Sequence, residues 1–403
     1  MSSRRRRRIL SAAACSLALV MATSLAQTTA VAAPSSTAAP NWSGMDVRDT
    51  GTTTARAGTL IRQVPLAPGL SVPGSARAYR ILYATPDQHG RTATSTGAVF
   101  LPHGTPPAGG WPVIAWAHGT TGLGDDCTPS ALPRSDRDAT YLAHWLRQGY
   151  AIVATDYVGL GTPGLLSYLN GEVAAHSIVD SVKAAHQMDL PLAPRWAIVG
   201  QSQGAGAALN GAQRATRLSR GTDLDYRGVV ATGTPANIEQ IIALGGPDFP
   251  PVRLPAGLTT YALYILAGVI DARPDLHVSS VLTPLGKDYV ARAREVCYPE
   301  MHEFMDGRDL RTVFRAPLSS IPGIRQALTE YMGTPYTGYD RPIFLGQGLR
   351  DTDVPAPSAL SLYAQMRANN QPVDLHVYPD QDHSGTVIAS MPDSTPFLAR
   401  IMR

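Results

Sequence analysis

The chain has 403 residues, of which 44% are hydrophobic and 16% are charged. This composition excludes a chain disordered in bulk and a membrane-embedded one, and the length predicts one large core with an insertion or two packed domains. Residues 1–32 hold five arginines and no acidic residue, so their removal lowers the formal charge from +3 to −2. The charge therefore gives no support to a nucleic-acid partner.

Residues 1–32 have the pattern of a signal peptide for export. Residues 4–8 are basic, residues 9 to about 25 are apolar, and residues 30–32 read Ala-Val-Ala, a small-residue cleavage site. A transmembrane anchor is the weaker alternative, because polar residues interrupt this short apolar run. We therefore expect a secreted protein, and the adjacent arginines also permit a twin-arginine export route.

Residues 33–57 are predicted to be a disordered leader or linker. The segment consists largely of Ala, Ser, Thr, Pro and Gly, with few large apolar side chains. Such a segment cannot bury enough apolar surface to offset the entropy lost on ordering. No catalytic residue is expected there.

The segments that follow predict a mostly parallel α/β sheet. Extended segments rich in β-formers are followed by short, almost wholly apolar runs that alternate with helix-like stretches. The predicted strands are 78–85, 96–101, 112–117, 151–154, 196–199, 229–231, 343–345 and 375–377. Continuous apolar strands indicate that helices cover both faces of the sheet. The predicted helix 177–188 places Ile178, Val182 and Ala185 on one face, as packing on such a sheet requires.

The regular alternation stops in residues 236–335, which we interpret as a helical cap inserted over the sheet. Pro, Leu and Tyr dominate here, and residues 258–270 form an apolar, helix-like run too short to span a bilayer. A continuation of the core would instead require sheet strands that the segment does not contain. The core would then comprise residues 58–235 and 336–403.

The stretch VGQSQGAG, residues 199–206, is typical of a nucleophilic serine at a sharp turn. The apolar run 196–199 precedes it as a strand, and small residues follow it as a helix. Gly200 and Gly204 flank Ser202 at two positions on either side, where larger side chains would clash with the crossing helix. Ser202 is therefore the predicted nucleophile.

A serine needs a base to take its proton and an acid to orient that base. In a fold with this turn, the order along the chain is Ser, acid, His, so the acid follows a late strand. Asp351 is the first choice and Asp353 its competitor. Only His376 and His383 follow, and His383 is favoured because it lies in a loop after a strand, whereas His376 lies within that strand.

Two backbone N–H groups should stabilise the negative oxygen that the reaction develops. One is expected from Gln203, directly after the nucleophile. The other is assigned to Gly119 or Thr120, in the loop AWAHGTTG after an earlier strand. His118 in the same loop could be read as a second base, but a structural hydrogen bond suits its position better.

Six motifs in order resemble the secretory lipase family of α/β-hydrolases, the lipase A type. They read HGTTG, CTPS, TDYVGLGTPG, GQSQGAG, GLRDTDVP and DQDHSGT, and the resemblance runs from about residue 60 to the C-terminus. It implies an α/β-hydrolase fold, hydrolysis of carboxylic esters, a helical cap before the acid, and no cofactor. Ser202, Asp351 and His383 match the family's triad. Ala205 stands where a second glycine is more usual, which bears on substrate range.

Cys127 and Cys297 are the cysteines that remain once Cys15, in the signal peptide, is set aside. In an exported chain two cysteines indicate one disulfide, with two free thiols as the alternative. The resemblance implies the same pairing, because the family's cysteine before the Pro-Ser pair matches Cys127 and its partner would be Cys297 in the cap.

We therefore expect a secreted serine lipase or esterase that acts on a small-molecule or lipid ester, without cofactor or metal. Transient contact of the cap with a lipid interface is part of this expectation, and the oligomeric state is left open. A peptidase or an acyltransferase could use the same machinery, and acidic residues of the cap could receive a peptide amino terminus. A non-catalytic binding protein would have lost a triad member, and none is lost. The acidic residues in question are Glu295, Glu300, Glu303 and Asp306.

Overall fold

The computed structural model describes residues 39–50 and 53–403, so the predicted signal peptide, with Cys15, lies outside the described residues. The central feature is a nine-stranded sheet with the order β1-β2-β3-β5-β4-β6-β7-β8-β9. Its strands are β1 (Leu60–Pro65), β2 (Ser75–Pro86), β3 (Thr92–Pro102), β4 (Trp111–Ala117), β5 (Ala151–Thr155), β6 (Leu192–Gln201), β7 (Asp225–Thr232), β8 (Ile343–Gly348) and β9 (Val373–Tyr378).

The strand pairs confirm the predicted mostly parallel sheet. All pairs among β4 to β9 are parallel, whereas β1, β2, β3 and β5 pair with one another antiparallel. In a parallel sheet of this kind, functional side chains usually follow the carboxyl ends of the strands. The loops after β4, β6, β7, β8 and β9 are therefore the relevant ones.

Helices cover both faces of the sheet, as the continuous apolar strands predict. The α-helices are α1 (Asp136–Arg147), α2 (Gly171–Ala185), α3 (Gln203–Leu218), α4 (Ile238–Ile242), α5 (Ala256–Ala272), α6 (Pro284–Ala293), α7 (Tyr298–Met305), α8 (Ile324–Met332), α9 (Pro357–Ala368), α10 (Gly385–Ala389) and α11 (Met391–Ile401).

Alternate residues of β4 belong to two different cores, because successive side chains of a strand point to opposite faces. Val113 and Ala115 join a buried cluster with α2, α3 and α5. Ile114 and Trp116 join a second cluster with α1, α10 and α11. The sheet therefore separates two hydrophobic layers.

Helix α2 begins earlier than the sequence predicts, at Gly171 rather than at residue 177. The side chain of Asn170 accepts a hydrogen bond of 3.2 Å from the Val173 N–H, which stabilises the first turn. Residues 171–176 read GEVAAH, with Val173 as the single large apolar side chain, so apolar periodicity alone does not reveal this part of the helix.

Between β7 and β8 the chain forms helices α4 to α8 and contributes no strand to the sheet, in a segment whose residues are all described. The apolar run 258–270 lies within α5, which contacts α6 and α7. No helix in the described ranges, 39–50 and 53–403, is long and apolar enough to cross a membrane.

The prediction of a disordered leader over residues 33–57 is wrong for residues 39–50. Met45 and Val47 are buried together with Leu82 of β2. The buried guanidinium of Arg80 donates hydrogen bonds to the backbone oxygens of Trp42 and Met45. The composition of the segment does not account for its order, because β2 supplies the apolar and charged partners.

Candidate active site

Ser202 occupies the single residue between β6 and α3, with φ of 59° and ψ of −125°. A Cβ atom at Gly200 would lie 2.1 Å from the Gly204 oxygen, and one at Gly204 would lie 1.9 Å from the Ala117 oxygen. No other residue fits such contacts, so the glycines permit strand, turn and helix to pack closely. The Ser202 N–H donates to the Thr232 oxygen at 3.0 Å, which ties the turn to β7.

Asp351 and His383, predicted from separate loops, form a direct pair. The distance between His383 Nδ1 and Asp351 Oδ2 is 2.7 Å, and the Asp351 side chain is fully buried. The imidazole packs against the turn after β7, where a Cβ atom at Gly233 would lie 2.9 Å from His383 Cε1. With Nδ1–H donating to the carboxylate, Nε2 of the neutral ring is the nitrogen left to accept a proton.

The two candidate acids have different partners. Asp351 Oδ1 accepts from the backbone N–H groups of Asp353 and Val354 at 3.0 and 2.7 Å, which orients its other oxygen towards the imidazole. Asp353 instead accepts from the Tyr261 hydroxyl of α5 at 2.8 Å. Of the two, the structure brings Asp351 to the histidine.

The side chain of Gln201 is hydrogen-bonded to His383 Nε2, the ring nitrogen that would have to accept the proton of Ser202. The Gln201 side-chain nitrogen lies 2.9 Å from His383 Nε2, and Gln201 is 1% exposed. Among the contacts of the described residues, no hydrogen bond joins Ser202 Oγ to His383. Sequence reasoning missed this interaction, since it joins positions 182 residues apart and no motif marks the residue before the serine as a partner of the base.

The predicted oxyanion groups lie beside the serine turn. A Cβ atom at Gly119 would lie 3.6 Å from the Ser202 Cβ atom, which places the loop after β4 next to the nucleophile. Within the described part of the chain, the N–H groups of Gln203, Gly119 and Thr120 have no hydrogen-bond acceptor. The Thr120 hydroxyl is 2.7 Å from the hydroxyl of Tyr168.

The two other histidines considered from the sequence, His118 and His376, make contacts of a structural kind. The ring nitrogens of His118 lie 2.7 and 3.3 Å from the backbone oxygens of Gly119 and Asp156. Burial lowers the pKa of His118, which favours the neutral ring. His376 stacks on Phe344 of β8, with ring centroids 4.2 Å apart.

An apolar cavity of about 210 Å³ opens beside Ser202 and Gln203. Its walls come mainly from α4, α5 and the segment 310–318, with Ile242, Leu258 and Phe314 among the apolar residues. Asp353 and Arg311 are its charged lining residues. The cavity can therefore hold a hydrocarbon chain close to the serine.

A disulfide joins Cys127 to Cys297 with Cα atoms 5.3 Å apart, which confirms the predicted pairing. It connects the loop after β4 to the residue before α7. Beside it, the Tyr298 N–H donates to the Thr121 oxygen at 2.8 Å. The loop that contains Gly119 and Thr120 is thus held to the helical segment. The described residues contain no group of three or more His, Cys, Asp or Glu side chains placed to hold a metal ion.

Family models match two parts of the chain. The model described as secretory lipase matches residues 134–291, and the prolyl oligopeptidase family model matches residues 321–398. A curated relative, the secreted triacylglycerol lipase LIP5 of Malassezia globosa, is 27% identical over 156 residues, which are 38% of this chain and 30% of that protein. Over this part of its length, the chain is similar to the secretory lipases. The matched part of the chain spans about a third of the length of the curated relative.

Several solved structures share the fold of this chain. Lipase A of Candida antarctica in its closed state has a TM-score of 0.70 and 20% identity, over 89% of this chain and 85% of that chain. The esterase LipA of Xanthomonas oryzae has a TM-score of 0.66 and 18% identity, over 86% and 98%. A putative hydrolase of Legionella pneumophila has a TM-score of 0.70 and 19% identity, over 85% and 98%. The α/β-hydrolase architecture implied by the motifs is thereby confirmed.

Proposed function

We propose that this protein is a secreted carboxylic-ester hydrolase that acts through Ser202, Asp351 and His383. The hydrogen bond between His383 and Asp351, beside a strained serine turn that opens on an apolar cavity, is the observation that carries the proposal. The similarity to a secreted triacylglycerol lipase and to the secretory lipase model supports it.

The reaction proceeds through an acyl-enzyme. Ser202 Oγ attacks the ester carbonyl carbon while His383 Nε2 takes the hydroxyl proton. His383 then passes this proton to the oxygen of the leaving alcohol, and Ser202 retains the acyl group. A water molecule, deprotonated by His383, attacks the acyl carbon, releases the acid and restores Ser202.

The contact between Gln201 and His383 implies a rearrangement before the first step. One lone pair of Nε2 cannot accept from the Gln201 amide and from Ser202 at the same time. The Gln201 side chain therefore leaves Nε2 when substrate binds, and Ser202 takes its place. Catalytic hydrogen bonds commonly tighten only in the complex with substrate.

The oxyanion is stabilised by backbone donors. The N–H of Gln203, at the first position of α3, and the N–H of Gly119 or Thr120 have no acceptor among the described residues and lie at the serine turn. Each fixed donor typically contributes about 10²–10³ in rate in such sites. The disulfide between Cys127 and Cys297 helps to hold the second donor loop in place.

The acyl group of the substrate occupies the apolar cavity, and residues 236–335 act as a cap that forms much of its wall. Ile242 of α4 and Leu258 of α5 supply hydrocarbon contacts close to Ser202. The transfer of apolar surface into such a site contributes about 25 cal/mol per Å². A lipid ester or a smaller ester of a carboxylic acid is therefore the proposed substrate class.

Replacement of the nucleophile tests the proposal. Purified protein should hydrolyse p-nitrophenyl butanoate, and Ser202→Ala should lower kcat by about 10⁴–10⁶. Ser319→Ala, at an exposed position in the helical segment, is the matched control and should leave turnover unchanged. Equal turnover by Ser202→Ala would remove Ser202 from the mechanism.

A peptidase is the second candidate, because the prolyl oligopeptidase model matches the segment that contains Asp351 and His383. The cavity favours esters, since none of the acidic residues suggested as a peptide-binding site lines it. Glu300, for example, pairs with Arg292 at 2.6 Å and its side chain is 56% exposed. Rates on butanoate esters and on aminoacyl anilides should differ in favour of the esters, and faster cleavage of the anilides would support the peptidase.

Export is proposed from the N-terminal pattern. If residues 1–32 are a signal peptide, the protein recovered from culture medium should begin at Ala33. Mass spectrometry of the intact secreted protein checks this. An intact N-terminus retained with the cell membrane would contradict it.

A further inference from the structure

One carboxylate interrupts the otherwise apolar wall beside the nucleophile. Asp353 lines the same cavity as Ser202, and Arg311 is the other charged lining residue. Arg311 is paired with Asp309 at 2.6 Å. A carboxylate in apolar surroundings is costly unless hydrogen-bond donors satisfy it. The donors available to Asp353 therefore bear on which ligand the cavity accepts.

The protein supplies a hydrogen-bond donor to only one oxygen of this carboxylate. The Tyr261 hydroxyl donates to Asp353 Oδ1 at 2.8 Å, and the hydroxyl of Tyr298 lies 3.0 Å from that of Tyr261. Burial, followed by the charge of Asp353, raises the pKa of Tyr261, so the hydroxyl remains a donor. No described residue donates to Oδ2, although a carboxylate has about four acceptor positions.

The position of Asp353 is fixed relative to the acid–base pair. Its backbone N–H donates to Asp351 Oδ1 at 3.0 Å, and Asp351 Oδ2 contacts His383. His383 protonates the leaving oxygen, so the alcohol part of the ester must lie on the side of the cavity that this loop forms. The apolar walls from α4 and α5 remain for the acyl part.

We propose that Asp353, held by Tyr261, is an acceptor for a free hydroxyl group on the alcohol part of the substrate, so that partial esters of polyols are preferred to simple alkyl esters. This inference rests on the proposed ester hydrolysis. A neutral hydroxyl suits this acceptor, because the donor that Asp353 already has among the described residues, Tyr261, is itself a hydroxyl group.

Two esters of nearly identical shape provide the test. The alcohol part of 2-hydroxyethyl butanoate differs from that of propyl butanoate by a hydroxyl in place of a methyl group. The ratio of kcat/KM between them should fall by roughly tenfold from the wild type to Asp353→Asn, since a hydrogen bond to a charged acceptor is lost. Asp380→Asn, an exposed acid whose side chain is 77% accessible, is the matched control and should keep the wild-type ratio.

A second variant separates recognition from support of the fold. Tyr261→Phe frees Asp353 Oδ1 and leaves the carboxylate, so the preference for the hydroxyl ester should persist or increase. If Asp353 serves only to hold Tyr261, both variants would change the two esters in parallel, and the inference would be overturned. Fluorophosphonate titration gives the concentration of active protein for each rate.

Two further outcomes would decide against the inference. If the wild type hydrolyses both esters and Asp353→Asn leaves the ratio of their kcat/KM values unchanged, the inference is contradicted. The proposed ester hydrolysis would still stand. A wild type inactive on both esters contradicts the proposed function itself. Faster hydrolysis of butanoylcholine than of its uncharged isostere 3,3-dimethylbutyl butanoate would assign Asp353 to a cation instead.

Discussion

At the scale of single residues, Gln201 contacts the proposed base, His383. Its amide donates to Nε2 of His383, the nitrogen that receives the Ser202 proton in the proposed mechanism. This hydrogen bond is made in the resting protein and must be given up in the reaction, so it stabilises the ground state more than the transition state. In the proposed mechanism, Gln201 therefore restrains the base in the resting protein.

Gln201→Ala should therefore accelerate the acylation of Ser202. A neutral hydrogen bond contributes about 1 kcal/mol, so the rate of fluorophosphonate labelling should rise by up to about fivefold. Gln326→Ala, on the exposed side of α8, is the control and should label at the wild-type rate. Slower labelling of a folded Gln201→Ala would mean that the amide holds the imidazole in its reactive orientation.

Some features of the site can be predicted from the sequence, and others depend on contacts made only in the folded protein. The order Ser, acid, His limits the choice to two acids and two histidines, and the glycines around Ser202 have steric reasons that can be read from the chain. The choice between Asp351 and Asp353 depends on backbone N–H donors and on Tyr261, which approach only in the folded protein. The triad assignment itself remains a prediction.

At the scale of elements, strands with continuous apolar sequence were predicted and an edge strand was not. The sequence of β1, LIRQVP, has exposed residues at Ile61, Arg62 and Gln63, and it pairs only with β2. An edge strand need not be buried on both of its faces. Its sequence can therefore be as polar as that of a loop. Residues 39–50 were missed for a related reason, since Arg80 and Leu82 of β2 order them.

The disulfide should stabilise the fold by linking elements distant in sequence. Cys127 and Cys297 are separated by 170 residues, so the bond restricts a large loop of the unfolded chain. Cys127→Ala/Cys297→Ala should lower the free energy of unfolding by about 2–5 kcal/mol. Urea unfolding of oxidised wild type and double variant measures the difference, and reduced wild type should match the variant. A loss below about 1 kcal/mol would contradict this.

Helix α5 should determine acyl-chain length through its cavity-facing side. Leu258→Lys places a charge in the apolar cavity, so kcat/KM for octanoate esters should fall at least about tenfold more than for acetate esters. Leu285→Lys, at a leucine of α6 that is 42% exposed, is the matched control and should affect neither. An equal loss on both esters, with a lower melting temperature, would indicate misfolding instead.

At the scale of the whole molecule, three exposed apolar side chains lie within residues 241–252, a segment that also contributes to the cavity wall. Ile241, Leu244 and Val252 are 58%, 55% and 56% exposed. Ile241 itself lines the cavity, as do Ile242 and Phe249 of the same segment. Exposed apolar side chains clustered in this way often mark a contact surface. A neutral lipid surface is a consistent partner, because residues 33–403 carry a net charge of −2 and offer no general attraction to anionic lipid.

Replacement by serine of Leu244 and Val252, the two exposed residues that do not line the cavity, should therefore impair hydrolysis at an interface more than hydrolysis in solution. The burial of each side chain in lipid contributes about 1 kcal/mol, so activity on emulsified tributyrin should fall by tenfold or more at limiting lipid. Turnover of dissolved p-nitrophenyl acetate should change by less than about twofold. Leu360→Ser/Val377→Ser, at exposed positions outside residues 236–335, is the control. A parallel loss on both substrates would refute a lipid contact, because a surface used only for docking cannot alter the chemistry at Ser202.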